Sequence, residues 1–226
     1  MSYDSASEIQ HQQVFGEFCG VNPSITDSST FTFLKPDTMK ELFENEIEGC
    51  FKDYSEYDKF NEPQISYYSS QNMLVYEIEG TPNVTAGIAI SELYKSFYKI
   101  KNEYSLKSNP PHVRSMPAYD IPKDKWIGKY ALPRNKNVTS LLEELKDSFF
   151  LRFEKWEGSD YLELLHVGKY ENINLTSNKL ENYISKNGYV INGFHEEIYI
   201  KGPGMFFKGN PEKYLTLIRY TIKKLN

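Results

Sequence analysis

Two adjacent glutamates interrupt an otherwise apolar strand pattern late in the chain. Glu196 and Glu197 follow His195 and precede an Ile-Tyr-Ile run. Because strand side chains alternate between faces, His195, Glu197 and Tyr199 share one face of the predicted strand. Glu196 shares the opposite face with the two isoleucines. Each carboxylate therefore has an aromatic or aliphatic neighbour on its own face.

One carboxylate of this pair is the group in this sequence best suited to chemistry. In an apolar cleft it loses hydration, at a cost on the order of several kcal/mol unless it is paired, and this desolvation is expected to raise its pKa. Such a group binds a cationic aromatic ligand, or it serves as a general acid or base on a bound electrophile with help from Tyr199. The alternative is an exposed edge strand on which Glu196 and Glu197 both stand in water.

Aromatic side chains on predicted strands or strand ends are candidates to line the same cleft. An aromatic face attracts a cation by about 0.5–2 kcal/mol. Each of these rings can equally belong to the core, and a histidine just before Gly168 at a strand end is more typical of a structural hydrogen bond than of catalysis. The ligand-binding candidates beside Glu197 and Tyr199 are Trp126, Tyr130, Trp156, Tyr161, His166 and Tyr170.

Other kinds of site have little support in the sequence. The four histidines form neither an H-x-H nor an H-E-x-x-H pattern, and the two cysteines, Cys19 and Cys50, do not have a framework spacing. A G-x-S-x-G nucleophile motif is also missing. The sequence therefore predicts no metal and no cofactor.

Charge and hydropathy favour a cytoplasmic protein. The net charge is −5, from 26 basic and 31 acidic residues, and no run of lysine or arginine exceeds two. Such a pattern does not indicate a basic patch that neutralises phosphates. Residues 1–30 contain no apolar signal core, and no stretch approaches the roughly 18 apolar residues of a membrane helix. We expect a soluble protein that binds neither nucleic acid nor membrane.

Hydrophobic periodicity predicts alternating strands and helices from about residue 64 onward. Apolar residues at helical spacing mark a helix from Thr85 to about Ile100 and another that ends near Lys186. Residues 104–117, with two consecutive prolines, are predicted to be at least partly loop. Shorter helices are predicted at 37–48 and 140–146, and strands at 73–79, 126–132, 149–157, 161–167, 195–201 and 214–222, of which 149–157 and 161–167 form a hairpin.

The order of these elements repeats along the chain. A strand, Gly80, a helix and a further strand recur as a strand, Gly168, a helix and further strands. This order predicts an α+β fold of tandem duplicated strand-helix-strand-strand modules, with antiparallel sheets around a central pocket. The modules cover about 61–147 and 148–226, which together form one domain. Residues 1–60 are predicted to be an N-terminal extension with one amphipathic helix.

Several segments resemble a known family. They are DKWIGKYALP (residues 124–133), LLHVGKYENI (164–173), NGY (187–189), HEEIYI (195–200), PEKYLT (211–216) and IRYTI (218–222). These segments look like the GyrI-like small-molecule-binding family, which is related to the effector-binding domains of multidrug-responsive bacterial regulators. The resemblance is specific over about 149–222, weaker over 64–147 and absent over 1–60.

The resemblance implies a duplicated α+β fold with a central hydrophobic pocket for flat, aromatic and often cationic compounds. It implies that the E-I-Y motif places Glu197 where a buried glutamate of the family reads positive charge, with Tyr199 two residues on. Some stand-alone members hydrolyse cyclopropane-bearing natural products with the same glutamate. One departure concerns the pocket rim, because the frequent S-D-P-R segment is replaced here by KGPGMFFKGNP, residues 201–211.

Three functions follow as alternatives. The first is a stand-alone module that binds hydrophobic, aromatic or cationic small molecules. The second is a hydrolase of cyclopropane-bearing electrophiles, in which Glu197 and Tyr199 are catalytic. The third is a gyrase-inhibitor-like protein-interaction module whose partner binds through residues 1–60.

Overall fold

The fold is built on one antiparallel sheet. The structure, a computed structural model, describes residues 53–104, 110–115, 122–134, 138, 150–202 and 209–225. Within these residues the strands are β1 (Gln64–Tyr68), β2 (Gln71–Glu79), β3 (His112–Ser115), β4 (Ile127–Pro133), β5 (Leu151–Trp156), β6 (Ser159–Val167), β7 (Tyr189–Lys201) and β8 (Leu215–Lys224). The two α-helices are α1 (Pro82–Tyr104) and α2 (Ile173–Lys186).

The duplicated α+β arrangement predicted from the sequence is confirmed. The order β2-α1-β3-β4 recurs as β6-α2-β7-β8. In space the strands follow the order β1-β6-β8-β7-β3-β4-β2-β5, so β7 of the second module pairs directly with β3 of the first. The two modules therefore share one continuous sheet, and their junction lies between β3 and β7.

Both helices pack on the same face of the sheet. Helix α1 buries Leu93 and Phe97 against Tyr130 and its neighbours on β2 and β4. Helix α2 buries Leu180 against Ile218 and its neighbours on β6 and β8. Each helix presents apolar residues three or four positions apart, which lie on one side of an α-helix. The central strands β3 and β7 thus lie between the strands covered by the two helices.

The predicted hairpin between residues 149–157 and 161–167 is wrong. Strand β5 pairs with β2, whereas β6 pairs with β1 and β8. A single register runs through both pairings, because Gln71 lies opposite Trp156 and Tyr68 lies opposite Ser159. The chain therefore bends at Gly158 and continues without turning back, so that β5 and β6 run along β2 and β1 in turn. A hairpin and a bent strand both show alternating apolar residues and a glycine, so the sequence pattern could not distinguish them.

Strand β3 and the first part of β7 lie where no strand was predicted. Residues 112–115, within the segment predicted to be at least partly loop, form β3 at the centre of the sheet. The two prolines just before β3 lack N–H donors, but the carbonyl oxygen of Pro111 accepts a hydrogen bond from the Tyr199 backbone N–H at 3.0 Å. Strand β7 likewise begins at Tyr189, well before the predicted start at residue 195.

Part of the predicted N-terminal extension contacts the sheet. A short 3-10 helix, Ser55–Phe60, buries Phe60 against Ile198, Ile200 and Leu217 on the face away from the helices. The helices predicted at 37–48 and 140–146 lie outside the described residues. None of the helices in the described part of the chain is long and apolar enough to cross a membrane.

Candidate ligand-binding site

An irregularity in β7 precedes the acidic pair. Ile191 lies opposite Ile222 of β8, and the next regular pair is His195 with Tyr220. Three residues of β7 thus stand opposite Thr221 alone. Gly193 has a φ of 145°, and a Cβ there would lie 2.5 Å from the Thr221 hydroxyl oxygen. Such bulges change the direction of the side chains that follow them. After this bulge, His195 lies opposite Tyr220 and faces the helices.

Glu197 lies at the module junction on the helix-bearing face. Its register partners are Ile218, which packs under α2, and Val113, which packs against the α1 cluster. The His195 Nε2 lies 2.9 Å from one carboxylate oxygen, and the Tyr199 hydroxyl donates to the other at 2.8 Å. The shared face predicted for these three side chains is thereby confirmed. The Glu197 side chain remains 18% exposed, so it is not sealed from solvent.

Tyrosine rings surround this carboxylate. The Tyr199 ring meets the Tyr170 ring edge to face at 5.5 Å, and Tyr170 also packs on Tyr214 at 5.4 Å. The close approach of Tyr170 depends on Gly202, where a Cβ would lie 2.5 Å from the Tyr170 hydroxyl oxygen. The result is an aromatic wall beside Glu197, built from the segment after β6 and from the end of β7.

The hydroxyls near Glu197 stay protonated. Burial raises the pKa of Tyr199 well above its usual value, and the Glu197 charge raises it further. Burial raises the pKa of Tyr130 to about 12, the Thr85 hydrogen bond opposes this rise, and the Glu197 charge supports it. Burial and then the influence of Tyr214 and Glu197 raise the pKa of Tyr170 as well. The site therefore offers one carboxylate among neutral phenols.

Glu196 lies on the opposite face in a fully buried charge cluster. Its carboxylate contacts His112 Nδ1 at 2.7 Å, Arg114 Nε at 2.6 Å and Arg219 at 2.5 Å. Burial alone would raise the pKa of Glu196, but the hydrogen bond from His112 and the charges of Arg219 and Arg114 hold it well below its usual range. Because His112 and Arg114 lie on β3, this cluster joins the two modules.

Aromatic rings enclose the arginines of this cluster. The Arg114 guanidinium lies 3.5 Å from the centre of the Trp156 ring and donates to the Tyr161 hydroxyl at 2.6 Å. The Arg219 guanidinium lies 4.3 Å from the centre of the Tyr161 ring. Trp156 and Tyr161 thus lie on the face opposite Glu197, where they contact protein cations.

The remaining sequence candidates, His166 and Trp126, make contacts with other parts of the chain. His166 has Thr176 at 2.9 Å from one ring nitrogen and the Lys169 carbonyl at 2.9 Å from the other, so it braces the turn at Gly168. Trp126 precedes β4, and its carbonyl accepts from the Gly80 N–H at 2.8 Å. The structure therefore brings Glu197 together with Tyr199, Tyr170 and Tyr130. His195 lies on the predicted face but was not among the sequence candidates. Its position two residues before Glu197 on the same strand was the signal that the two side chains would meet.

Acid is expected to destabilise the fold through the Glu196 cluster. Burial lowers the pKa of His112 despite the hydrogen bond to Glu196, so the unfolded chain binds a proton more readily, and stability falls below a pH of about 6.5. The depressed pKa of Glu196 adds a second loss below about 4.3, where the unfolded glutamate becomes protonated. Glu163 opposes the first loss, because burial raises its pKa in the folded state and its protonation above a pH of about 4.3 stabilises the fold.

Urea unfolding between pH 5 and 7.5 measures the first of these losses. The matched control is His112→Gln, which cannot titrate in this range. We expect the wild-type free energy of unfolding to fall more steeply below a pH of about 6.5 than that of the variant. Parallel pH curves for the two proteins would contradict the assignment of this loss to His112.

Comparison with known proteins shows which solved structures share this fold. No protein-family model matches the chain. A 75-residue segment is 39% identical to methionine gamma-lyase of Arabidopsis thaliana. This segment covers 33% of this chain but only 16% of the lyase. The hydrolase encoded by lin2189 of Listeria innocua superposes with a TM-score of 0.60 at 20% identity, over 75% of this chain and 97% of that protein.

Another solved structure with a similar fold is the C-terminal domain of EcmrR. It superposes with a TM-score of 0.57 at 13% identity, over 73% of this chain and 98% of that domain. At these identities the likeness concerns the path of the backbone. The described residues thus have the same α+β fold as the EcmrR C-terminal domain and the Listeria innocua hydrolase.

Proposed function

We propose that this chain is a GyrI-like domain that binds a hydrophobic, aromatic or cationic small molecule against Glu197. The observation that carries the proposal is a partly exposed carboxylate at the module junction, beside the packed rings of Tyr199 and Tyr170. A carboxylate supplies charge to a cation, and ring faces supply both contact area and cation–π attraction. The fold shared with the EcmrR C-terminal domain supports this choice.

The contrast between the two adjacent glutamates supports the same site. The side chain of Glu196 is fully buried and receives contacts from two arginines of the protein itself. Glu197 instead retains exposed area and has neutral tyrosine hydroxyls around it. An added ligand cation can therefore reach the partly exposed carboxylate of Glu197, whereas the carboxylate of Glu196 is buried within the fold.

A second candidate function is hydrolysis at the same carboxylate. The Tyr199 hydroxyl donates to Glu197 at 2.8 Å, so a base and a proton donor lie side by side. In this role Glu197 removes a proton from water as the water oxygen bonds to a carbon of the strained ring and a ring C–C bond breaks. Tyr199 protonates the released carbon, and the proton held by Glu197 returns to Tyr199. The fold shared with the Listeria innocua hydrolase favours this candidate.

Two predictions about partners remain. One is a protein partner that binds through residues 1–60, and the other is that the protein does not bind nucleic acid.

Glu197→Gln is expected to weaken binding of an aromatic cation by about 10- to 100-fold. The variant keeps the size of the side chain but removes a charge-assisted interaction worth about 1.5–3 kcal/mol. The measurement is fluorescence titration with 10-methylacridinium, compared with the uncharged 10-methylacridone. The acridone should bind both proteins with similar affinity, because it gains nothing from the carboxylate charge.

Glu157→Gln is the matched control, since this glutamate is largely exposed and lies outside the site. It should bind 10-methylacridinium as the wild type does. Equal affinity of the wild type and Glu197→Gln for the cation would refute the binding proposal. Mass spectrometry after incubation with cyclopropane-bearing electrophiles tests the second candidate. A product heavier by one water, formed by the wild type and not by Glu197→Gln, would establish turnover.

A further inference from the structure

His195 and Glu197 form a histidine–carboxylate pair inside the candidate site. The His195 Nε2 lies 2.9 Å from a Glu197 oxygen, and the two side chains are 16% and 18% exposed. The His195 ring also packs edge to face on Tyr220 at 4.9 Å, which fixes the direction of Nε2. The imidazole is thus held against the carboxylate while both remain accessible from solvent.

Among the described residues, tyrosine hydroxyls and one further carboxylate surround this pair. Tyr199 donates to the second Glu197 oxygen and stays protonated. Glu181 of α2 accepts a hydrogen bond from the Tyr220 hydroxyl at 2.9 Å, and the Tyr220 ring packs on His195. The described titratable groups around the pair comprise Tyr130 on β4, Tyr170 after β6, Tyr199 on β7, Tyr220 on β8 and Glu181 on α2.

We propose that His195 makes cation binding at Glu197 proton-coupled, so that a bound cation and a proton on His195 exclude each other. This inference rests on the proposed binding function and names the charge state that the site selects. When His195 carries a proton, its positive charge already compensates Glu197 and repels a second cation. When His195 is neutral, its N–H still donates to Glu197, and the carboxylate keeps a full negative charge for the ligand.

The sign of the effect follows from this competition. Cation affinity rises with pH as His195 loses its proton, and by linkage the binding of a cation releases a proton from His195. At a separation of a few Å, the repulsion between two charges in a partly exposed site is large enough for about a tenfold difference in affinity. An uncharged aromatic ligand gains no such dependence. The site is therefore specific for cations at neutral and alkaline pH and loses this preference in acid.

Titrations with 10-methylacridinium between pH 5.5 and 8.5 test the inference. Wild-type affinity is expected to rise about tenfold over this range. His195→Gln keeps an amide N–H donor for Glu197 but cannot titrate, so its affinity should be nearly constant. Binding of 10-methylacridone should be constant in both proteins. Calorimetry of the wild type in buffers of different ionisation enthalpy should show proton release on binding of the cation near the midpoint of the rise.

The outcomes separate this inference from the proposed function. If His195→Gln keeps the wild-type pH dependence, or if the wild type releases no proton, the coupling to His195 is refuted. A cation affinity that is independent of pH in the wild type but lost in Glu197→Gln would leave the binding function standing and remove only the proton coupling. Failure of the wild type to bind 10-methylacridinium at any pH would overturn both. Proton release by the wild type tests the coupling even if His195→Gln does not fold.

Discussion

Replacing Glu196 with glutamine is expected to lower the free energy of unfolding by about 3–5 kcal/mol. The carboxylate is fully buried and contacts the guanidinium groups of Arg114 and Arg219, which are themselves almost fully buried. Glutamine retains the shape but leaves two positive charges in the interior without their shared partner. Denaturant unfolding monitored by circular dichroism gives the change, with the slope of the free energy against denaturant as a check for two-state behaviour.

The neighbouring residue supplies the control for this prediction. Glu197→Gln changes the same chemical group one position along the strand, on the partly exposed face, and should cost about 1 kcal/mol or less. Comparable losses in the two variants would contradict the difference in burial that separates them. A quadruple variant, Glu196→Leu with Arg114→Met, Arg219→Met and Glu163→Gln, should recover much of the lost stability, because it removes the paired carboxylates and guanidinium groups together instead of one member alone.

Phe97→Ala is expected to lower the free energy of unfolding by about 3–5 kcal/mol. Phe97 is 2% exposed and lies in the cluster that joins α1 to β2 and β4. The truncation removes a ring from a close-packed interior and leaves a cavity, because the helix and the sheet cannot both move inward. Thermal and denaturant unfolding measure the loss.

Leu180→Ala probes the equivalent cluster of the second module. Leu180 is fully buried between α2 and its strands, so the expected loss is about 2–5 kcal/mol. Because β3 and β7 join the modules in one sheet, each variant should unfold in a single transition detected equally by all probes. Two separate transitions, one sensitive to Phe97 and the other to Leu180, would show that the modules unfold independently.

Local patterns predicted those parts of the molecule that depend on neighbouring residues. The alternation of residues 195–200 correctly divided the two glutamates between opposite faces. The apolar residues at helical spacing correctly predicted α2, and Leu180 and Ile184 lie on its buried side. In both cases the period of the backbone conformation fixes where a side chain points, and no distant partner is needed.

Features that depend on strand pairing could not be predicted in the same way. The partners of Glu196 come from β3 and β8, which the sequence separates by a hundred residues or so, and β3 itself is short and follows two prolines. The positions of Trp156 and Tyr161 on the face opposite Glu197 depend equally on the bend at Gly158. The alternation along one strand shows that two residues lie on different faces of the sheet. Only the pairing of the strands shows which side chains each of them contacts.

The bend at Gly158 gives the two halves of the chain an internal exchange of strands. Strand β1 leads directly into the first module but pairs with β6 of the second, and β5 leads into the second module but pairs with β2 of the first. Each half thus completes the sheet of the other. A single half with its leading strand could form the same eight-stranded sheet by trading that strand with a second copy, as a strand-swapped homodimer. The tandem chain is the covalently linked equivalent of such a dimer, and its candidate site lies where the two copies would meet.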